Sequence, residues 1–259
     1  MKLSKDNYFS TEANKEFMSV SQFKSFLSCE LAALAQINGE YDGFSSDSML
    51  FGRAVHAWNE GSLKEFKQNN PELYKKDGTL YAKYAGIQDC IETLESDEVC
   101  MMALEGEKEV VFTAEMFGTP WKIMIDSYNP DYGMFTDLKV MKSLHDKFWS
   151  SENGYYVNFV EHYGYDMQMA VYSEVERIAS GREERLEPHI VVVTKESPPD
   201  KAVLKGFLDR ADIMLAQVAI EMPHILAVKS GEAEPVGCGK CEYCRSVKKA
   251  QIIDYRELI

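Results

Sequence analysis

The chain has 259 residues, enough for one large core or for a core carrying a helical accessory layer. No apolar run reaches the roughly 18 residues of a membrane span, and Met1 to Asn7 lacks the apolar stretch of a secretion signal, so a cytoplasmic protein with no membrane contact is expected. A net charge of −14 argues against a broadly basic nucleic-acid surface; it confines any DNA contact to a small patch or channel, where a metal between carboxylates adds positive charge of its own.

In chain order, apolar spacing at Phe23, Phe26, Leu27 and Leu31 predicts a helix over 19–34, capped by Ser19 or Ser21. Residues 38–48, polar and rich in serine, predict a loop. Helices are predicted over 49–66 and 83–94, with Asn69-Asn70-Pro71 and Lys76-Asp77-Gly78 as breaks. The pattern then turns extended over 107–115, 121–128 and 133–140, with a turn signal at 129–133, which predicts an antiparallel three-stranded meander. A long helix follows over 156–178, ending near Gly181. The apolar run 189–194 predicts a strand buried on both faces, stopped by Pro198-Pro199, and a last helix is predicted over 202–218. The expected fold is α/β: a mixed sheet in β-β-β-α-β order, within one domain over 1–259. It divides into a mainly helical part (1–100), an α/β core (105–220) and a cysteine-rich tail (230–259).

Asp137 and Lys139 stand two apart in an extended run and so point to one face of their strand, while Asp126 lies in the strand before. Two carboxylates hold a divalent metal through hard oxygens, the metal polarises a phosphoryl oxygen, and a lysine beside it orients water or stabilises developing charge. The same pattern on a solvated edge is a plain surface charge pair. His56 and Glu60, four apart on one helix face, offer a ligand from outside the sheet. Tyr165, Gln168 and Tyr172 share one face of the long helix.

Ile125-Asp126 followed by Thr136-Asp137-Leu138-Lys139 resembles the core of the PD-(D/E)XK nucleases, and Gly52-Arg-Ala-Val-His56 with Gln168-Met-Ala-Val-Tyr172 resembles the additional motifs of the RecB-like branch. With Ser19 to Phe26 and the cysteine tail, the chain is most similar to phage and prophage exonucleases of the RecE-like group, over about 19–249. The resemblance implies the restriction-endonuclease-like fold, with Mg²⁺ or Mn²⁺ held by His56, Asp126, Asp137 and the Leu138 carbonyl. It implies that Lys139 acts on the attacking water and that Gln168 and Tyr172 organise the site. It also implies double-stranded DNA ends as substrate, phage-type recombination, a single-strand annealing protein as partner, a homo-oligomer, and a bacterial cytoplasm with a phage or prophage gene. No proline precedes Asp126, and the second acid is Asp where many relatives carry Glu.

Cys238-Gly-Lys-Cys241-Glu-Tyr-Cys244 gives two overlapping C-x-x-C steps, and a remote fourth thiol would complete a [4Fe–4S] or a Cys₄ zinc site; reduced, unligated thiols are the alternative. RecB-like nucleases that clasp an iron–sulfur cluster use one N-terminal and three C-terminal cysteines, which by resemblance assigns Cys29 as the fourth, although the last step here is shorter. Cys90 and Cys100 read as packing residues. Trp58, Trp121 and Trp149 could stack on bases or pack. Two rival functions stand beside the exonuclease: an endonuclease or CRISPR-adaptation-like nuclease with an iron–sulfur cluster, and a catalytically silent DNA-binding module of the same fold.

Overall fold

A computed structural model of the chain describes residues 1–43, 46–151, 154–250 and 252–257. The N-terminal part holds α1 (Thr11–Glu16), α2 (Val20–Ser28), α3 (Glu30–Asn38), α4 (Asp47–Asn59), α5 (Leu63–Asn69), α6 (Gly86–Glu95) and α7 (Glu98–Ala103). The helix expected over 19–34 is therefore two helices. Ser19 caps the first through the Gln22 N–H, and Cys29, in extended conformation, ends it and begins the second. The helix expected over 49–66 also divides, because Gly61 takes a positive φ of 79° after Asn59. Asp97 accepts from the Val99 and Cys100 N–H groups and so starts α7, a helix the apolar spacing did not reveal.

Strands β1 (Glu107–Met116), β2 (Thr119–Asn129) and β3 (Met134–Met141) form the expected antiparallel meander. A two-stranded hairpin follows, β4 (Phe148–Ser150) with β5 (Tyr155–Val157). Then come α8 (Phe159–His162) and α9 (Tyr165–Ser180). The hairpin and α8 occupy the start of the helix predicted over 156–178; Gly164, at φ +60°, turns the chain between α8 and α9. Strand β6 (Glu187–Thr194) runs parallel to β3 in register Asp137↔Ile190 and Lys139↔Val192, and is nearly all buried, as its composition predicts. The helix expected over 202–218 is a correction. Residues Lys201–Leu204 form β7, an antiparallel partner of Ile190–Val193, and the helix α10 begins later (Ala211–Ser230). A short lysine-to-leucine run with no helical start signal gains more from capping the edge of β6 than from helix, and Gly206 separates it from α10.

The five-stranded sheet has the order β1-β2-β3-β6-β7. One apolar layer joins it to α2, α9 and α10 through Phe23, Phe26, Ile123, Phe135, Val192, Met169 and Val218. The other joins Leu138, Val191 and Val193 to Leu50, Val55, Ile87 and Leu94 of α4 and α6. Cys90 and Cys100 lie buried in this second layer, as expected of packing residues. Among the described residues, Leu208–Ser230 is long and apolar enough to cross a membrane by length and composition; its Met214, Val218, Met222, Ile225 and Val228 pack into the first layer. The tail carries α11 (Glu242–Val247).

Candidate active site

The meander forks at its middle. Strands β2 and β3 pair over Asn129↔Met134, Tyr128↔Phe135 and Ser127↔Thr136, and there the recorded pairing ends. The next backbone donor facing the gap, Leu138 N–H, goes to Asp126 Oδ2 at 2.7 Å. A buried amide must find an acceptor, and here a carboxylate serves where a strand would. Because the N–H and C=O of a strand residue face the same edge, the Leu138 carbonyl faces the same gap.

Asp137 is 4% exposed and points toward α9. Its Oδ1 accepts from Gln168 Nε2 at 2.7 Å, and its Oδ2 lies 2.5 Å from Lys139 Nζ. The Lys139 ammonium also sits 5.0 Å from the Tyr165 ring centre. From the other side, α4 brings His56 Nδ1 within 3.5 Å of Asp126 Oδ1. Asn59 anchors that helix end, with Nδ2 donating to the Asp126 carbonyl (3.4 Å) and to Ser127 Oγ (3.3 Å), while Lys108 Nζ donates to Asn59 Oδ1 and Ser127 Oγ. The structure thus brings together His56, Asp126, Asp137, Leu138, Lys139 and Gln168. Tyr172, one turn beyond Gln168, is close enough for Asp137 and Asp126 to help burial raise its phenol well above the usual range.

Burial and charge oppose each other at every group. Burial pushes Asp137 up, and neighbouring Asp126 adds to this, against the Lys139 ammonium. Burial works the same way on Asp126, but His56 and Lys139 outweigh it and hold the carboxyl below its usual value. Burial alone would neutralise His56 and Lys139; the carboxylates reverse this and raise both.

Asp137 Oδ2 is buried without a hydrogen-bond partner, although ion-paired to Lys139. Two carboxylates, one carrying such an oxygen, with an imidazole nitrogen and a strand carbonyl nearby, are donors whose chemistry suits a hard divalent cation such as Mg²⁺ or Mn²⁺.

Three residues escaped sequence reasoning. Glu109, on β1 between the residues that pair with Ser127 and Ile125, has φ +54°, a strained conformation for a non-glycine residue. Burial, then the Glu60 carboxyl beside it, raises its pKa to about 7. Glu60 therefore faces Glu109, and Ser62 Oγ donates to it at 3.1 Å. Lys24 of α2 hydrogen-bonds the Tyr163 carbonyl (2.8 Å) and lies 5.4 Å from the Tyr165 ring, opposite in sequence but adjacent in space to Lys139. Asn59 is the third. None has a local spacing signal, because each meets its partner across at least 17 residues of chain or more.

The cysteines gather elsewhere. Cys29, at the break between α2 and α3, meets Cys238, Cys241 and Cys244, all four sulfurs lying within 4.8 Å of one another. Cys29 Sγ is 3.5 Å from Cys244 Sγ and 3.8 Å from Cys241 Sγ. Backbone N–H groups of Cys238, Cys241 and Cys244 donate to sulfurs of the set. Gly237 admits this approach, since a Cβ there would stand 3.2 Å from Cys244 Sγ and from Leu31 Cδ2. Four thiolates at 2.3 Å from one ion stand about 3.8 Å apart, whereas a four-iron cube spreads its thiolates to roughly 6 Å. The four sulfurs lie close enough together to hold a metal ion.

Of the smaller signals, Trp121 is fully buried and donates to the Met116 carbonyl, and Trp58 donates to Glu95. Trp149 is exposed on the β4–β5 hairpin. An apolar cavity of about 360 Å³, lined by Met102, Tyr132, Met134 and His189 among others, lies at the other end of β3 from Lys139.

Residues 19–247 match the family described as "PDDEXK-like domain of unknown function (DUF3799)". The crystal structure of a provisionally assigned exonuclease from Eubacterium rectale is similar over 100% of this chain and 98% of that one, at 38% identity and a TM-score of 0.93. The crystal structure of SSO0001 aligns over 90% of this chain and 96% of that one, at 15% identity and a TM-score of 0.31, too low to carry an argument. Comparison with curated proteins finds no match.

Proposed function

The chain belongs to the PDDEXK-like family, and from that premise we propose that it is a divalent-metal-dependent DNA exonuclease. The observation that carries the proposal is the fork between β2 and β3, where Asp126, Asp137 and Lys139 meet with His56 and Gln168. In this reading His56 Nδ1, the two carboxylates and the Leu138 carbonyl hold Mg²⁺ or Mn²⁺, which when bound polarises the phosphoryl group and acidifies a water. Lys139, whose ammonium stands beside Asp137 Oδ2, would orient the attacking water and neutralise charge growing on the phosphate. Gln168 fixes the Asp137 carboxylate through Oδ1, leaving Oδ2 as the ligand. Tyr172 lends its phenol to the same corner.

Digestion from an end, rather than internal cutting, is favoured by the whole-length likeness to the Eubacterium rectale protein. A role in phage-type recombination, with a single-strand annealing protein as partner and an oligomeric enzyme, accompanies the RecE-like resemblance of the motifs. At the cysteines we propose Zn²⁺ rather than the iron–sulfur cluster, on the sulfur spacing.

The test compares end-labelled linear duplex with covalently closed circular duplex, each with Mg²⁺ or with EDTA. Label released from the linear DNA in Mg²⁺ alone, with the circle intact, is the expected result. A cut circle makes the enzyme an endonuclease; neither substrate being cut in Mg²⁺ or Mn²⁺ leaves the silent module.

A further inference from the structure

A path of rings leads outward from the catalytic lysine. Lys139 Nζ lies over the Tyr165 ring, and Tyr165 stacks on Tyr163 at 5.7 Å between centres. Tyr163 meets His162 (4.7 Å) and Phe148 (5.5 Å), and Phe148 lies flat on His162 at 3.9 Å with 8° between planes. Phe148 begins the β4–β5 hairpin, and its neighbour Trp149 pairs across the hairpin with Tyr156, rings 5.3 Å apart. Trp149, Tyr155 and Tyr156 are 56%, 56% and 64% exposed. Large rings left in water at that level cost apolar hydration and call for an occupant.

Charge points the same way. The whole chain carries 28 basic against 42 acidic side chains, whereas the segment leading into the hairpin holds Lys142 and Lys147 against Asp146, with Lys139 paired to Asp137. Lys142 is 88% exposed at its side chain, and its contact with Asp146 is a loose 4.0 Å. Lys24 adds a fourth cation beside Tyr165. The nearest acids on the helix side, Glu161 and Asp166, both face Arg210. Positive charge interleaved with exposed rings is the chemistry of a single-stranded nucleic-acid track, where bases stack and phosphates meet lysines.

We propose that the β4–β5 hairpin and α8 form a track for one DNA strand, stacking unpaired bases on Trp149 and Tyr156 and delivering the strand past Tyr163 and Tyr165 to Lys139. This deepens the nuclease reading and rests on it for the position of the site.

The test measures binding of a fluorescein-labelled single-stranded thymidine oligonucleotide by anisotropy, in EDTA so that no cleavage intervenes. The double variant Trp149→Ala/Tyr156→Ala is expected to bind tenfold or more weakly with an unchanged melting temperature, since both rings are exposed. Trp149→Phe/Tyr156→Phe, which keeps the rings, is expected to restore most of the affinity. Lys142→Ala/Lys147→Ala is expected to flatten the slope of log affinity against log salt by about 1.4, two phosphates at roughly 0.7 each. Wild-type affinity in the alanine ring variant, or an unaltered slope in the lysine variant, overturns the track. So does a variant that loses only self-association on a sizing column, which would make the hairpin an interface between copies. Because the assay involves no chemistry, its failure leaves the digestion test of nuclease activity standing, and the reverse holds too.

Discussion

The two ligand clusters of this molecule are built on opposite principles. At the fork, the scaffold comes first: β3 and β6 are buried between two apolar layers, and the carboxylates are held there by Leu138 N–H and Gln168. At the cysteines, three of the four sulfurs come from a short tail segment, tied to α3 by Leu31 N–H on the Val236 carbonyl and by Glu30, which accepts from Val236 N–H and pairs with His224. The first cluster spends stability to gather charge in a dry place; the second gathers thiols so that an ion can supply stability. Changes at the fork should therefore cost activity and leave the fold, whereas changes at the cysteines should cost the fold first.

The largest expected effect is at Asp137. Asp137→Ala should lower the rate of duplex digestion by about a thousandfold or more, with a melting temperature within about 4 °C of wild type. A large loss of folding with the activity would erase the contrast between clusters. Gln168→Ala should act through Asp137, raising about tenfold the Mg²⁺ needed for half-maximal rate, because the carboxylate it orients is free to turn away. At the other cluster, Cys241→Ser should release bound zinc, seen by elemental analysis, and lower the melting temperature by roughly 5–10 °C. Retention of a full zinc equivalent by this variant would deny the four-sulfur site.

The smallest effect concerns Glu109. Its pKa in the fold is about 7, raised first by burial and then by Glu60 from a usual 4.5. The unfolded chain therefore releases this proton more readily, so the carboxylate weakens the fold fully above pH 7, and the penalty fades as pH falls to 4.5. Glu109→Gln, which imitates the protonated acid, should stabilise the protein by about 1–2 kcal/mol at pH 8 (discounted for partial exposure of the side chain) and by nothing near pH 4.5, read by denaturant melts at both values.

What could be read from the chain followed the range of each signal. The meander was legible because its strands alternate and are joined by Asn129-Pro130-Asp131, and β6 because it is almost wholly apolar. Helix interruptions at Cys29 and Gly164 were not, since the apolar spacing continues across them and tertiary packing decides the break. β7 was read as helix because four residues carry too little periodicity to outweigh their neighbours. At the site, the motif residues were recognisable by order and spacing, but Asn59, Lys24 and Glu109 act through contacts made across the fold. The hairpin rings were masked by the strong helical pattern just after them.

The account stands most directly on Lys139. End-labelled linear duplex digested in Mg²⁺ by wild type and by Lys139→Ala, with melting curves for both, tests it in one experiment. The account predicts metal-dependent release by the wild type, a loss of about a thousandfold or more in the variant, and closely similar melting temperatures. Cleavage by Lys139→Ala at the wild-type rate would contradict it.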